Sequence, residues 1–158
     1  MDNGHNILNL AAFMKDTRMV GPGLRDAIWV QGCSIKCPGC ANQAYQPHEQ
    51  RVLMPVEQIL AHLSLRKGKI DGITILGGEP TEHPRFDDII EDFHTSGMVV
   101  NFSTKDYEIF SKKPSEFFAK IGSIGFSISS IEDFNLVVQN IRYIIYDFNN
   151  KIKFHIIM

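Results

Sequence analysis

The sequence is poor in cysteine and tryptophan and has no long apolar run. Its 158 residues contain three cysteines and one tryptophan. A secreted disulfide scaffold has an even number of cysteines spread along the chain, whereas these three all fall between Cys33 and Cys40. No apolar segment approaches the roughly 20 residues that a membrane span needs, and the N-terminus lacks the basic flank and apolar region of a signal peptide. We therefore expect a cytoplasmic protein with no membrane partner.

The chain carries nearly equal numbers of basic and acidic residues. Sixteen basic and eighteen acidic residues give a net charge of −2 and a pI of about 6.3, which argues against nucleic acid as a partner. Apolar residues make up 44% of the chain and charged residues 22%, enough for a hydrophobic core of its own. Because no linker, repeat or low-complexity tract interrupts the sequence, we expect a single domain over residues 1–158.

Strand-like and helix-like segments alternate along the chain. Short runs rich in β-formers predict strands at 27–30, 73–76, 98–102, 124–128 and 152–157. Apolar residues at helical spacing predict helices between them, with apolar positions at Val56, Ile59, Leu60, Leu63; Phe86, Ile89, Ile90, Phe93; Phe117, Phe118, Ile121; and Phe134, Val137, Val138, Ile141, Ile145, Phe148. Repeated alternation predicts an α/β fold with a parallel sheet, about five βα units curled into a barrel or part of one.

The chemically distinctive residues follow the predicted strands. The cysteines come after the first strand, Gly77-Gly78-Glu79-Pro80 after the second, Ser103-Thr104 after the third and Ser127 at the end of the fourth. Ligands of parallel α/β proteins bind at the carboxyl ends of the strands. The sequence therefore predicts one functional site at this edge of the sheet.

The cysteines form a C-x3-C-x2-C loop that suits a metal. Thiolates bind iron strongly, and three protein ligands leave one iron of a cubane cluster open to a substrate, whereas four would suggest an electron carrier. Two alternatives remain open at this point: a Cys3His zinc site with His48 as the fourth ligand, and structural thiols with no ligand. The loop residues Pro38 and Gly39 argue against inert cysteines within a strand.

The Gly-Gly-Glu-Pro segment suits a close approach of backbone to ligand. Gly77 and Gly78 lack a Cβ, so their carbonyl groups can come near a bound ammonium group, to which Glu79 could add charge. The alternative is an ordinary turn between a strand and a helix, which two glycines and a proline also explain.

Together the two motifs resemble those of the radical S-adenosylmethionine superfamily. The resemblance implies that Cys33, Cys37 and Cys40 hold a 4Fe-4S cluster, and that S-adenosylmethionine chelates its open iron. It also implies reductive cleavage of S-adenosylmethionine to methionine and a 5′-deoxyadenosyl radical that abstracts hydrogen. The residues expected to bind the cofactor are Gly39, Gly77, Gly78, Glu79, Ser103, Thr104 and Ser127, although a serine or threonine at a strand end is also a common helix cap. No catalytic residue is expected beyond the cluster ligands.

The first third of the chain resembles the activating proteins of anaerobic ribonucleotide reductase. The likeness covers Gly21-Pro22-Gly23-Leu24-Arg25, Gln31-Gly32-Cys33 and the run from Pro38 to Asn42, with Gly39 standing just before the third cysteine. It implies a glycyl-radical enzyme as macromolecular partner and an electron donor such as flavodoxin or ferredoxin.

The later sequence departs from that pattern. Glu79 stands where reductase activating proteins tend to carry aspartate, and the region from Ser127 to Met158 is more similar to a general radical S-adenosylmethionine barrel that modifies a peptide or small molecule. Such barrels usually have six strands. With five counted, either the chain is a fragment of a longer barrel or another protein covers the edge of its last strand. A non-catalytic metal-binding module is the alternative from another functional class.

Overall fold

A computed structural model describes residues 6–141 and the backbone of 153–157, which fold into a seven-stranded sheet with helices. The strand order is β3-β1-β2-β4-β5-β6-β7. The strands are β1 (Ile7–Thr17), β2 (Arg25–Val30), β3 (Val52–Pro55), β4 (Gly72–Gly77), β5 (Val100–Thr104), β6 (Ile121–Ser127) and β7 (Lys153–Ile157). The helices are α1 (Val56–Ser64), α2 (Phe86–Thr95), α3 (Ile109–Lys112), α4 (Ser115–Ala119) and α5 (Ile131–Ile141), and short 3-10 turns lie at Gln43–Tyr45 and Pro80–Glu82.

The parallel part of the sheet is the predicted one. Strands β2, β4, β5, β6 and β7 pair in parallel and in chain order, and each corresponds to a strand expected from the sequence. Thr74 of β4 is the register partner of Asn101 of β5, which in turn is the partner of Ser123 of β6. The carboxyl ends of these strands therefore lie at one edge.

Two antiparallel strands were missed by the sequence prediction. No strand was predicted before residue 27, but β1 pairs antiparallel with both β2 and β3. Its burial alternates only at its start, where Leu8 and Leu10 are buried, and its second half is exposed, so the pattern of a half-buried strand is weak. The sheet is thus partly antiparallel. Closure into a barrel is not confirmed, because in the described residues β3 and β7 are the two outer strands.

The helices cover one face of the sheet. In α1 the buried residues include Ile59 and Leu63, as their spacing predicts, although Pro55 is the N-cap residue and not part of the first turn. The predicted third helix is short, and Ile121, assigned to it from spacing, is the first residue of β6. The last helix is confirmed as far as Ile141. Ile145, Phe148 and Ile152 lie outside the described residues.

The hydrophobic core lies between this face and the helices. Phe86 of α2 packs edge-on against Phe102 of β5, with ring centroids 5.1 Å apart, and Phe117 of α4 joins them. Burial of one such side chain contributes about 1.5–3 kcal/mol. The opposite face of the same strands carries small and polar side chains, among them Thr74 and Ser123. No described helix is long and apolar enough to cross a membrane.

Candidate cluster and cofactor site

The cysteine loop leaves the sheet at the end of β2 and is fixed there by backbone hydrogen bonds. Gln31 N donates to Asn9 O at 2.8 Å, and Cys33 N donates to Gln46 O at 2.9 Å. Cys33 is 8% exposed, whereas Cys37 and Cys40 are half-buried. The first thiol is therefore held within the fold and the other two lie nearer its surface.

The rest of the loop is folded tightly. Lys36 and Gly39 have positive φ angles of 50° and 72°, a conformation that glycine adopts without strain. Cys40 N donates to Cys37 O at 3.3 Å, and Asn42 N donates to the sulfur of Cys40 at 3.4 Å. The loop thus curls back so that three thiols are carried on eight residues.

The donor set fits an iron-sulfur cluster. Three soft thiolate ligands on one loop match the preference of such clusters for cysteine. Among the described residues, the side chains do not form a ready-made group of three metal ligands, so ligand binding would have to draw the thiols together. Such coupling of metal binding to local folding is usual, because the ligands must also lose their protons.

The Gly-Gly-Glu-Pro segment packs directly on the start of the cysteine loop. Gly78 N donates to Val30 O at 2.8 Å, and Glu79 N donates to Gly32 O at 2.9 Å. A Cβ on Gly78 would lie 2.0 Å from Gly32 O, and one on Gly77, whose φ is 95°, would lie 2.8 Å from the backbone of Val30. The missing side chains therefore let two backbone segments touch. The close approach of a ligand to Gly77 and Gly78 stays a prediction.

Glu79 is buried, and both oxygens of its carboxylate accept hydrogen bonds from neighbouring residues. Oε1 accepts hydrogen bonds from Thr81 N at 3.2 Å, Thr81 Oγ1 at 2.8 Å and Thr104 Oγ1 at 2.7 Å, and Oε2 accepts one from Lys105 N at 2.8 Å. Burial raises the pKa of Glu79, and these hydrogen bonds lower it in part. The carboxylate therefore braces the ends of β4 and β5 against each other.

A contact between Ser34 and Glu82 was missed by the sequence analysis. Ser34 N donates to Glu82 Oε2 at 3.0 Å, and the Ser34 hydroxyl donates to the same carboxylate. Ser34 follows Cys33 directly, so this contact ties the metal loop to the 3-10 turn after Pro80. No motif in the sequence announces a pair 48 residues apart.

The three predicted hydroxyl residues are placed differently. Thr104 is buried and donates to Glu79, whereas Ser103 lies on the other face of β5 and lines a cavity. Ser127 is exposed at the end of β6, and its carbonyl oxygen accepts a hydrogen bond from Tyr107 at 2.5 Å. The predicted site residues thus share the carboxyl edge of the sheet but face in more than one direction.

A charged cluster beside Ser127 also escaped prediction. The Lys105 ammonium lies 3.2 Å from Asp133 and 2.5 Å from the Ser129 hydroxyl. Burial acts to raise the pKa of Asp133, but hydrogen bonds from Ser129, Lys105 and Tyr107 outweigh it and hold that pKa well below its usual value. Asp133 N donates to Ser130 Oγ at 3.0 Å, so Ser130 caps α5 as a serine at a strand end often does.

Comparison with protein families identifies the chain. Residues 19–124 match the sequence model of the family described as "4Fe-4S single cluster domain". The chain belongs to this family. Its matched region contains the cysteine loop, the Gly-Gly-Glu-Pro segment and the ends of β4 and β5. The family supports a 4Fe-4S cluster over the zinc alternative.

Curated relatives confirm the radical S-adenosylmethionine resemblance and include reductase-activating proteins. The chain is 38% identical over 63 residues to the anaerobic ribonucleoside-triphosphate reductase-activating protein of Enterobacteria phage T4, covering 38% of this chain and 39% of that protein. The Escherichia coli K12 protein of the same name is 32% identical over 77 residues, covering 45% and 48%. The S-adenosylmethionine-dependent nucleotide dehydratase of Selenomonas ruminantium is 28% identical over 109 residues, covering 68% and 39%. The chain therefore matches less than half the length of each.

A solved structure shows the same fold. The crystal structure of QueE from Escherichia coli matches with a TM-score of 0.61 and 13% identity, covering 96% of this chain and 83% of that chain. At this identity the likeness concerns the fold alone. The predicted cofactors, a 4Fe-4S cluster and S-adenosylmethionine, are confirmed by the family match and the S-adenosylmethionine-dependent relative.

Proposed function

We propose that Cys33, Cys37 and Cys40 hold the 4Fe-4S cluster and that the chain uses it to cleave S-adenosylmethionine reductively. The observation that carries this proposal is the direct packing of the Gly-Gly-Glu-Pro segment on the start of the cysteine loop, with Gly78 against Gly32. When bound, the cluster would supply the electron that breaks the sulfonium bond and yields methionine and a 5′-deoxyadenosyl radical.

The residues of this chain would hold and orient the cofactor. The Ser34–Glu82 contact would keep the cysteine loop on the 3-10 turn, and Glu79 would hold the end of β5 beside it. Gly39, with its positive φ, leaves open space at the tip of the loop, where no described residue beyond its chain neighbours lies within 4 Å of an added Cβ. That space would admit the methionyl part of the ligand. Ser103 and Ser127 remain proposed contacts.

The favoured physiological role is activation of a glycyl-radical enzyme such as anaerobic ribonucleotide reductase. Its support is the activating-protein likeness of the cysteine-containing part of the chain. A second role, modification of a nucleotide or other small molecule or of a peptide, is supported by the dehydratase, whose likeness extends over more of this chain. In both roles a flavodoxin or ferredoxin would deliver the electron.

An anaerobic reconstitution experiment tests the proposal. Protein loaded with iron and sulfide should bind one 4Fe-4S cluster and, with dithionite, convert S-adenosylmethionine to 5′-deoxyadenosine and methionine. Variants with Cys33, Cys37 or Cys40 replaced by alanine should lose both properties. Stoichiometric zinc with no iron chromophore, or a cluster that never yields 5′-deoxyadenosine, would defeat the proposal.

The physiological role needs a separate measurement. The reconstituted protein should be mixed with anaerobic ribonucleotide reductase and examined by electron paramagnetic resonance for a glycyl radical signal. A signal that requires S-adenosylmethionine supports the activating role. Cleavage without a signal favours the second role and leaves the radical chemistry intact.

A further inference from the structure

A cavity lies on the face of the sheet opposite the helices. Its volume is about 200 Å³, and it is lined by strand residues including Thr74, Leu76, Asn101, Ser103 and Ser123. Thr74, Asn101 and Ser123 are register partners on three neighbouring strands. They form one polar row across the sheet, and Ser103 and Gly125, partners in the next row, lie nearer the carboxyl edge.

Asn101 is the unusual member of this row. It is 3% exposed, and neither its Oδ1 nor its Nδ2 has a hydrogen-bond partner among the described residues. A buried polar group left unpaired destabilises the folded state. By contrast, the Thr74 hydroxyl beside it donates to Val20 O at 2.9 Å. A buried amide with both polar atoms unpaired beside a cavity points to a group that a bound ligand would pair.

The lining of the cavity defines the chemistry of that ligand. None of the described residues that line it is ionisable, so a charged ligand would contact no counter-charge in the lining. The amide of Asn101 has an accepting oxygen beside a donating NH2 group. A ligand that carries an N–H group next to a C=O group can form both hydrogen bonds with it. Leu76 adds apolar contact, and Gly125 leaves room.

A strap of residues 19–21, between β1 and β2, covers this amide. A Cβ on Gly21 would lie 2.8 Å from Asn101 Nδ2, so the backbone of the strap sits directly on the amide. The Thr74–Val20 hydrogen bond holds the strap, whose Met19 side chain is 90% exposed. A ligand that reaches Asn101 must therefore displace the strap from the amide.

We infer that this cavity is a binding site for an uncharged amide edge, an N–H group next to a C=O group, with Asn101 as its recognition residue. Such an edge occurs in a peptide unit and in the lactam edge of a nucleobase. Among the described residues that line it, the cavity shares only Ser103 with the proposed cofactor contacts, and the inference does not rest on the cluster reaction.

Calorimetric titration of the reconstituted protein, without S-adenosylmethionine or reductant, tests the inference. The probes are N-acetylglycinamide for the peptide source, uridine for the nucleobase source and acetate as a charged comparison. We expect one of the two neutral probes to bind and acetate not to bind. The neutral probe that binds identifies the source. Failure of both neutral probes up to their solubility limits overturns the inference.

Variants of Asn101 sharpen the test. Asn101→Leu has a similar shape and no polar group, so it should fold at least as stably as the wild type while binding the probe about tenfold more weakly. Asn101→Ser, which is smaller, should show the same loss. The matched control is Asn140→Ala, because the Asn140 amide is already bonded to Tyr107 O and Leu136 O; it should bind normally. Unchanged binding by both Asn101 variants would refute the assignment.

Discussion

The Thr104 hydroxyl donates a hydrogen bond to the Glu79 carboxylate at 2.7 Å and so joins the ends of two neighbouring strands. Both residues are almost fully buried, with 2% and 5% exposure. Since the same carboxylate also accepts from Lys105 N, it fixes the backbone that follows β5. Glu79 of the Gly-Gly-Glu-Pro segment therefore holds the ends of β4 and β5 in place. Its effect on a bound ligand would be indirect, through the positions of these strand ends.

The Glu79→Gln variant tests this bracing role. An amide group must place a donor where Glu79 now accepts, so at least one buried donor would lose its partner. We expect the free energy of unfolding to fall by about 1–3 kcal/mol, as measured by denaturant titration. Affinity for S-adenosylmethionine should fall with it. The matched control is Glu116→Gln on the exposed first turn of α4, which should change stability by less than about 0.5 kcal/mol. Loss of affinity at unchanged stability would instead indicate direct contact with the ligand.

The Gly78→Ala variant tests the contact between the two motifs. The new Cβ would lie 2.0 Å from Gly32 O, so backbone must move, and we expect a loss of about 1–3 kcal/mol in stability. Because Gly32 precedes Cys33, iron content after reconstitution should also fall. Gly68→Ala is the control: its φ of 79° strains alanine, whereas the φ of Gly78 is not in the positive range. Beyond its chain neighbours, no described residue lies within 4 Å of the new Cβ at Gly68, so iron content should stay at the wild-type level. A Gly78 variant with full iron content and weak S-adenosylmethionine binding would show that the ligand, and not Gly32, needs this space.

The sequence predicted the parallel strands because each is a short apolar run between turn residues. Ile73 and Ile75 illustrate this, since both are fully buried on the helix side. The motifs could be placed at one edge because strand polarity alone sets that edge. Chain order and local pattern were sufficient for both results.

The features that the sequence did not predict depend on contacts between residues far apart in the chain. Ser34 and Glu82 are 48 positions apart, and Thr104 and Glu79 are 25 apart, so no local pattern reveals either pair. The strand β1 was missed because its second half, including Phe13 and Met14, is exposed. The unpaired state of Asn101 is visible only once its neighbours on β4 and β6 are in place.

The three cysteines should differ in reactivity before the cluster is assembled. Burial raises the pKa of Cys33, and the negative charges of Glu82 and Glu79 raise it further, against the opposing effect of nearby backbone hydrogen bonds. Because the thiolate is the reactive form, a raised pKa means a smaller thiolate fraction at neutral pH. Cys33 is also the most buried of the three. We therefore expect iodoacetamide to alkylate Cys33 more slowly than Cys37 or Cys40 in the folded, iron-free protein.

The alkylation rate of Cys33 should depend on pH in one direction. As pH rises above the ordinary thiol value toward the raised pKa of folded Cys33, its alkylation rate should keep increasing, and cluster assembly, which also needs deprotonated thiols, should become more complete. Peptide mass spectrometry over a series of pH values measures the three rates, and the same reaction in urea is the control, where the folded environment is lost and the rates should converge. If Cys33 in the folded protein reacted as fast as Cys40 at neutral pH, burial of its side chain at the start of the loop would be contradicted.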